Sequence, residues 1–586
     1  MSWPSWSVRD VVTGRPRVRV NQVGYLPGRP MRATLVSDEP EPVPFLVVDE
    51  GGRPVHEARS HPWPTRPEPT SGLAVHVLDL GDLPPGRHRV LVPTLDAHSH
   101  AFRVDAGLYR PLAADALRFL TLQRSGVAID DEVAPGYARP AGHVGVPPNR
   151  GDTAVRPWSG PDAPRLYPGW RDDATYDVSG GWYDAGDHGK YVTSGAIAVW
   201  QLLGAADVLA RGPRTAAADD LRDRVLDECR WQLDWLLRMQ VPPGRPHAGL
   251  AFHRVHGVVW SPIPGPPHLD PTERVLHRPS TGAGLHLAAA AAAGARTFRL
   301  ADPAYAARLL AASRCAYDAA LRTPDLLAPD DHARHGGGPY GDDDLSDDRY
   351  WAAAELWLAT GEERYAEDVA RSPHHARDPF DERGFDFDAV AAPARLDLAL
   401  HGRTGPAAPL PDHDRVVASV VAGADRLRAV QDAQPWGQPY APADGWAWGS
   451  NGRLLNNLVV LGTAALVSGE TGYLDAVAAG ADHLLGRNAL GQSYVTGYGT
   501  DHSRHQRTRS FGQDRDATLP PPPPGALAGG ANSQPAPDFP YDDRLVGLPP
   551  QCCYLDEPTS EVTNDVCIRW NAPLVWVSAL LSLNRA

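Results

Sequence analysis

The hydrophobic and polar positions of the first 105 residues alternate with a period of two in short runs separated by turn residues. The runs occupy residues 18–25, 31–36, 43–48, 73–78, 87–92 and 101–104. A series of six or seven short strands is typical of a small β-sandwich, which we predict over residues 16–105. Residues 1–15 lack the pattern and are expected to form a disordered leader.

From residue 106 the period changes, and apolar residues recur every three to four positions as in helices. A first helix is predicted at residues 113–123. Further helices are predicted at 192–211 and 216–239, 281–300 and 303–321, 347–360 and 363–371, 386–402 and 413–431, 454–468 and 471–486, and 572–583. Roughly six helical pairs joined by long loops predict an all-α barrel over residues 106–586, with functional loops at one end.

The formal net charge of -15 at pH 7 narrows the classes of partner. It disfavours nucleic acids and anionic membranes, and no basic stripe offsets it. No apolar run reaches the roughly 18 residues of a membrane-spanning helix. We therefore expect a monomer that acts on a neutral substrate and binds neither nucleic acid nor membrane.

The N-terminus and the cysteines bear on location. Residues 1–10 have neither the basic nor the apolar segment of a signal peptide, so the chain as written is expected in the cytoplasm. It would be secreted if a leader is missing from the gene prediction. Five cysteines, including the adjacent Cys552 and Cys553, predict free thiols in a reducing compartment. The sequence contains no CxxC motif and no tight Cys/His cluster, so we do not expect a zinc site.

The strongest candidate for chemistry is the stretch DVSGGWYDAGDHGKY at residues 177–191. Asp184 and Asp187 lie three residues apart among glycines, and Trp182 offers a flat apolar face on which a sugar ring can stack. The single lysine of the chain, Lys190, also lies here, which suggests a local demand that arginine cannot meet. The plainer alternative is an Asp-Gly surface turn.

Three further loops carry clustered polar residues. Residues 336–351 are acidic and precede a helix, so both Ca²⁺ binding and helix capping remain open. The loop 493–507 holds His505 and Arg507, which could donate hydrogen bonds to hydroxyls. Residues 554–573 supply distant acids of the kind that an acid/base pair needs.

These stretches together resemble family 9 glycoside hydrolases. The matching motifs are DVSGGWYDAGDHGKY, GGGPYGDDDLSDDRYWAAAELW, WGSNGRLLNN, LLGRNALGQSYVTGYG with RHQR, and CCYLDEPTSEVTNDVCIRWNAPLVW. RVNQVGYLP is similar to the start of the immunoglobulin-like module found in one subgroup. The resemblance implies an (α/α)6 barrel and inverting hydrolysis of β-1,4-glucosidic bonds in cellulose or related β-glucans, of endoglucanase type.

The resemblance also implies roles for residues. Asp187 would be the base, Asp184 would help to hold the water, and Asp565 occupies the position of the general acid. Residues matched to substrate binding are His505, Arg507, Asp556, Trp182, Tyr340, Trp448 and Trp570. Asp347, Asp348 and Asp388 match a structural calcium site of several members, and no cofactor is required.

One departure from the family pattern keeps alternatives open. The family has Glu as general acid, whereas this chain has Asp565, and Glu561 stands where an aromatic residue is usual. Because the Asp side chain is one methylene shorter, its carboxyl group would lie further from the leaving oxygen. A displacement of about 1 Å can lower the rate on the order of 10²-fold. Glu561 could act as a substitute acid. The alternatives are an intracellular exo-acting enzyme on cello- or glucosamine oligosaccharides and a weakened glucan-binding protein.

Overall fold

The computed structural model describes residues 7–330, 336–403, 409–536 and 538–583. Its N-terminal part is built from ten short strands. They are β1 Val18–Arg19, β2 Gly24–Tyr25, β3 Arg32–Val36, β4 Pro44–Asp49, β5 Pro54–Arg59, β6 His61–Pro62, β7 Val75–Asp79, β8 Gly86–Val92, β9 Ala97–His98 and β10 Phe102–Val104. All six predicted runs contain strands, while β5, β6 and β9 were not predicted.

The strands form two sheets that share one apolar core. One sheet has the order β1-β3-β7-β6, and the other has the order β2-β10-β8-β4-β5 with β9 paired to β8. Leu35 and Leu78 from the first sheet pack with Phe45 and Val90 from the second, all at most 1% exposed. Alternation along each strand places these residues inward, as the period of two predicted.

The segment before the sheets differs from the expected leader. Residues 8–12 form helix α1 (Val8–Val12), which Ser7 caps by accepting a hydrogen bond from the Asp10 N–H. Arg15 then pairs with Asp501 at 2.8 Å, so this segment contacts the helical part. Residues 1–6 lie outside the described residues.

Helices are the main regular elements of the remaining chain. They are α2 Tyr109–Leu122, α3 Ala163–Leu166, α4 Val192–Arg211, α5 Ala216–Arg238, α6 Thr281–Phe298, α7 Pro303–Arg322, α8 Ser346–Thr360, α9 Glu363–Arg371, α10 Pro373–Ala376, α11 Ala391–His401, α12 His413–Asp432, α13 Ser450–Ser468, α14 Gly472–Leu484, α15 Glu561–Asn564 and α16 Ile568–Ser582. Every predicted helix is present. The last begins four residues early because Pro573 is accommodated inside it, although proline usually marks a helix start.

Six of these helices are buried on nearly all sides, and each contacts the next. The contacts run α4 to α6, α6 to α8, α8 to α11, α11 to α13, α13 to α16, and α16 back to α4. The helices α2, α5, α7, α9, α12 and α14 pack outside them. Helix α4 is long and apolar enough to cross a membrane, but 89% of its apolar stretch is buried inside the protein. Its composition therefore suits a core helix.

Short strands pair loops that lie between the helices. They are β11 Arg156–Pro157, β12 Lys190–Tyr191, β13 Ala251–Phe252, β14 Arg254–Gly257, β15 Arg274–Leu276 and β16 Pro279–Ser280. Four of them form a sheet in the order β11-β15-β14-β12. Since β12 ends the acidic motif, this sheet fixes the motif against loops from distant parts of the chain.

Candidate active site

Hydrogen bonds within the acidic motif direct its two carboxylates differently. The Asp184 N–H donates to the Gly189 carbonyl at 2.9 Å, and the Gly189 N–H donates to Asp187 Oδ2 at 2.8 Å. Gly181 has a φ of +72°, and a Cβ there would stand 2.5 Å from the Trp235 ring. The turn therefore needs glycine, and it leaves Asp187 at the cleft while Asp184 points inward.

The single lysine, Lys190, is buried and stabilises the backbone of this motif. Lys190 Nζ donates to the carbonyls of Val178 and Gly180 at 2.7 and 2.8 Å, and it pairs with Asp152 at 2.7 Å. Burial lowers the pKa of Lys190 to about 8, which Asp152 opposes. A compact ammonium with three donors satisfies three acceptors here, whereas a planar guanidinium has a different geometry. The local demand suggested by the sequence has this physical basis.

Asp184 is fully buried, and both of its oxygens are occupied. Ser194 donates to Oδ1, and the Tyr340 hydroxyl donates to Oδ2 at 2.5 Å. Burial raises the pKa of Asp184 to about 6, against the lowering effect of Arg569. In this structure Asp184 thus supports Tyr340, which lines the cleft and stacks on Tyr191 with ring centroids 4.2 Å apart. The predicted role of Asp184 in holding the water is therefore corrected to positioning of Tyr340, because both of its oxygens are buried and occupied.

Asp565 borders the same cleft as Asp187. Its Oδ1 accepts the N–H groups of Gly186 and Val566 at 3.1 and 2.9 Å. Burial raises the pKa of Asp565 well above its usual range, and the charge of Glu561 adds to this. Because two donors point at Oδ1, the proton of the neutral carboxyl belongs on Oδ2. The arrangement suits a proton donor.

Two arginines line the cleft beside its carboxyl groups. Arg507 pairs with Glu561 at 2.9 Å, and its backbone N–H donates to the Asn564 carbonyl beside Asp565. Arg509, which was not predicted from the sequence, donates from Nη1 to the Gly186 carbonyl at 3.1 Å and from Nε to the Ser261 carbonyl at 3.1 Å. Arg509 lies two residues after Arg507, and on an extended chain residues at i and i+2 point to the same side. This spacing could have identified Arg509 from the sequence.

Asp556 ties two loops together and has few acceptor sites left for a substrate. It accepts the N–H groups of Arg504 and His505 at 2.8 and 3.0 Å, and the Ser503 hydroxyl at 3.0 Å. Its assignment to direct substrate binding is therefore corrected to positioning of His505. The His505 side chain is 44% exposed and pairs through Nδ1 with Asp514 at 2.5 Å.

The predicted aromatic residues divide into cleft and core. Tyr340 and Trp448 line the cleft. Trp182 is 1% exposed and donates to Glu228 at 3.0 Å, while Trp570 is 3% exposed and packs against Gly449 and Gly452. The expectation that Trp182 and Trp570 contact substrate is wrong, because both rings are enclosed by protein. Trp260 and Phe539 line the cleft instead, and neither belongs to a recognised motif.

The acidic loop brings three carboxylates together. Ligand atoms of Asp342, Asp347 and Asp348 all lie within 4.8 Å of one another, whereas Asp388 pairs with Arg453 at 3.4 Å. The predicted set is thus corrected, with Asp342 in place of Asp388. Asp342 Oδ2 and both oxygens of Asp348 lack a well-formed hydrogen bond, although His286 Nε2 stands 3.0 Å from Asp348. Burial raises the pKa of all three carboxyls to about 7.

A second buried cluster, His143, His188 and Asp270, includes the residue that follows Asp187 in the chain. His188 Nδ1 is 2.8 Å from Asp270 Oδ2, and His143 Nδ1 is 2.6 Å from the Tyr183 hydroxyl. Two ligands of a tetrahedral zinc at about 2.0 Å would stand roughly 3.3 Å apart, so 2.8 Å is the distance of a direct hydrogen bond. The cluster thus serves to orient His188. Residues far apart in sequence form it, which is why no spacing motif revealed it.

All five cysteines are free thiols, as predicted. Cys567 is buried, and its Sγ lies 3.6 Å from Asp184 Oδ2. Burial raises the pKa of the Cys567 thiol, so it is a neutral neighbour of the acid. It contributes packing behind the cleft rather than charge.

Comparison with known families identifies the family of this chain. The model of glycosyl hydrolase family 9 matches residues 109–578, and the model of the cellulase N-terminal ig-like domain matches residues 13–96. The chain belongs to glycosyl hydrolase family 9. In this family member, an N-terminal immunoglobulin-like domain of β-sheets precedes a largely helical catalytic domain.

Individual relatives are similar over nearly the whole chain. Endoglucanase C of Cellulomonas fimi is 47% identical over 96% of this chain, which spans 52% of that protein. The cellulose 1,4-beta-cellobiosidase of Acetivibrio thermocellus is 35% identical over 98% of this chain and 68% of that relative. The crystal structure of a metagenome-derived family 9 endoglucanase is 30% identical with a TM-score of 0.82, covering 96% of this chain and 98% of that structure. This chain spans about half the length of Endoglucanase C.

Proposed function

We propose that this chain hydrolyses β-1,4-glucosidic bonds in cellulose or related β-glucans with inversion at the anomeric carbon. The observation that carries the proposal is that Asp187 and Asp565 border one cleft, where burial raises the pKa of Asp565 well above its usual range. The similarity to an endoglucanase and a cellobiosidase supports glucan as the substrate class. An acid and a base that share one cleft are the minimum for glycoside hydrolysis.

Each carboxyl group has one task in the proposed reaction. Asp187 takes a proton from a water molecule as that water attacks the anomeric carbon. Asp565 gives the proton on Oδ2 to the leaving oxygen, because its Oδ1 is occupied by two N–H donors. Asp184 acts through Tyr340 as a positioning residue. The product sugar then has the α configuration, since an inverting enzyme uses a single displacement.

The remaining predicted residues surround this pair. Arg507 and Trp448 line the cleft and would contact sugar hydroxyls and a sugar face. His505 is held by Asp556 and would reach the substrate from the rim.

The proposed architecture is an (α/α)6 barrel at residues 106–586, preceded by the sandwich at residues 16–105. The support for the barrel is the closed circuit of contacts among α4, α6, α8, α11, α13 and α16, with six other helices outside it. A barrel of this kind gathers the loops that follow each helical pair at one end. That arrangement accounts for the meeting of residues 187, 340, 448, 507 and 565.

We also propose a structural calcium ion in the acidic loop. Asp342, Asp347 and Asp348 would hold it, because Ca²⁺ takes clustered carboxylate oxygens and some of theirs lack hydrogen-bond partners. The bound ion would offset two of the three negative charges that these carboxylates bring together at and before the start of α8. It has no part in the chemistry proposed for the cleft.

The direct test is hydrolysis of cellopentaose and carboxymethylcellulose by the purified protein, with product anomers followed by NMR. We expect prompt α-anomer from wild type and loss of turnover by roughly 10²- to 10⁴-fold in Asp187→Asn, since general-base catalysis is removed. Asp177→Asn is a matched control, because Asp177 is an exposed acid of the same motif that only caps Ser179. Prompt β-anomer, or equal turnover in Asp187→Asn, would overturn the proposal.

A further inference from the structure

Three aromatic rings from separate parts of the chain meet over the cleft. The centroid of the Phe539 ring lies 4.8 Å from the ring centroid of Trp448 and 6.4 Å from that of Trp260. Both pairs are packed edge to face. We call Trp260, Phe539 and Trp448 the aromatic bridge. All three line the same cavity as Asp187 and Asp565. Edge-to-face contacts at these distances are attractive, so the bridge is a favoured arrangement.

The two ends of the bridge belong to opposite sides of the helical circuit. Trp260 lies in the segment that precedes α6, and Trp448 lies just before α13. Along the circuit of contacts, α6 and α13 are separated by two helices in either direction. Phe539 therefore connects loops that face each other across the cleft.

Both ends of the bridge are anchored to the body of the protein. Arg509 lies 5.7 Å from the Trp260 ring and donates to the adjacent Ser261 carbonyl. On the other side, the Trp446 N–H donates to the Ser533 hydroxyl at 2.8 Å, and the Tyr541 hydroxyl donates to the Asn532 carbonyl at 2.9 Å. The segment that carries Phe539 is thus held at its base, and Phe539 lies between these attachments.

The space beneath the bridge is small. The cavity that the three rings line together with Asp187, Asp565 and eight other residues has a volume of about 50 Å³. Small-molecule sites usually enclose roughly 300–1,000 Å³. A glucan chain that runs through the cleft without interruption therefore requires Phe539 to move away from Trp260 or Trp448, whereas a chain end meets the bridge only on one side.

We propose that Phe539 is a specificity-determining residue that restricts the passage of an uninterrupted β-glucan chain and so sets the balance between internal and chain-end cleavage. The inference rests on the proposed glucan substrate. Movement of Phe539 out of the cleft separates its ring from both tryptophan rings, and each of these aromatic pairs is attractive. Internal cleavage therefore occurs in wild type, but more slowly relative to chain-end cleavage. Removal of the Phe539 ring abolishes this difference.

The test compares Phe539→Ala, Phe539→Trp and wild type on carboxymethylcellulose and cellopentaose. We expect Phe539→Ala to raise the loss of viscosity per reducing end released by about 3- to 10-fold, while cellopentaose turnover changes by less. Phe539→Trp keeps the wild-type ratio because it preserves the ring. Val546→Ala is the control, since Val546 lies in the same segment, is 55% exposed and does not line the cleft.

A binding measurement separates this inference from the proposed hydrolysis. In an Asp187→Asn background, retardation in gels that contain hydroxyethylcellulose is compared with and without Phe539→Ala. We expect stronger retardation without the ring and unchanged affinity for cellotetraose. Equal retardation and an equal viscosity ratio in Phe539→Ala would overturn the role of Phe539. Absence of hydrolysis by wild type, together with a change in retardation, would instead overturn the hydrolysis and support the bridge.

Discussion

Asp565 Oδ1 accepts a hydrogen bond from the Gly186 N–H, 3.1 Å away, so the proposed acid is joined to the residue that precedes the proposed base. A Cβ on Gly186 would stand 2.8 Å from that oxygen and 2.1 Å from the Arg507 carbonyl. Glycine at this position therefore permits a close approach of the two loops. Asp565 has a shorter side chain than the Glu of the family pattern. Its carboxyl group is hydrogen-bonded to the backbone N–H of Gly186.

The first prediction concerns the length and charge of the acid. We expect Asp565→Asn to lose roughly 10²- to 10⁴-fold in turnover of cellopentaose, because proton donation to the leaving oxygen is removed. The same variant should retain activity on 2,4-dinitrophenyl cellobioside, whose leaving group needs no proton. Asp565→Glu should remain active. Equal losses on both substrates would contradict the assignment of Asp565 as the acid.

The second prediction concerns the pH dependence of that acid. The charged groups around Asp565 are Asp187, Glu561, Arg507 and Arg509, and the negative charge of Glu561 raises the pKa of Asp565. Glu561→Gln should therefore lower this pKa and move the alkaline limb of the kcat/KM profile to lower pH.

Glu557→Gln is a matched control for this profile, since Glu557 pairs with Arg544 at 2.7 Å and does not line the cleft. An alkaline limb that stays in place in Glu561→Gln would show that Glu561 does not act on the acid. Loss of all activity in Glu561→Gln but not in Asp565→Asn would assign the acid role to Glu561 itself.

The third prediction concerns the single lysine. Lys190→Met would leave the carboxylate of Asp152 without one of its two cationic partners and leave two buried carbonyls unpaired. Removing one member of a buried ion pair costs about 3–5 kcal/mol in the free energy of unfolding. Arg308→Met, which breaks the exposed pair with Asp234, should cost about 1 kcal/mol or less. Urea denaturation of both variants measures the difference.

The fourth prediction concerns the acidic loop. Folding raises the pKa of Asp342, Asp347 and Asp348 to about 7, so the folded state binds more protons than the unfolded state between about pH 4 and pH 7. Stability from these groups is present below pH 4 and is lost as pH rises through 7. Calcium binds the ionised carboxylates, so it should raise the Tm more at pH 8 than at pH 5.

Two variants distinguish the observed carboxylate set from the one predicted from the sequence. Asp348→Asn should abolish the rise in Tm with calcium, while Asp388→Asn should keep it, because Asp388 contacts Arg453 instead. Dependence of the calcium effect on Asp388 and not on Asp348 would contradict the assignment.

Local patterns were sufficient for the longer strands and helices and for several of the residues that line the cleft, whereas most of the short elements were not predicted. The change of period from two to 3.6 located the strands and helices because it reflects which face of each element is buried. The motif around Asp184 and Asp187 could be recognised because the proposed chemistry requires paired carboxylates, and the resemblance to the family implied the position of Asp565. The demand for lysine at position 190 was visible because every other basic residue among Lys and Arg is arginine.

Only the tertiary structure decided which side chains reach the cleft. Trp182, Trp448 and Trp570 all lie in recognised motifs, yet only Trp448 lines the cleft, because burial depends on what distant segments place over each ring. The same holds for Asp342 replacing Asp388 and for the meeting of Trp260 with Phe539, 279 residues apart in the numbering. Contacts between segments so far apart arise from the packing of helices into a closed circuit, which leaves no local period in the sequence.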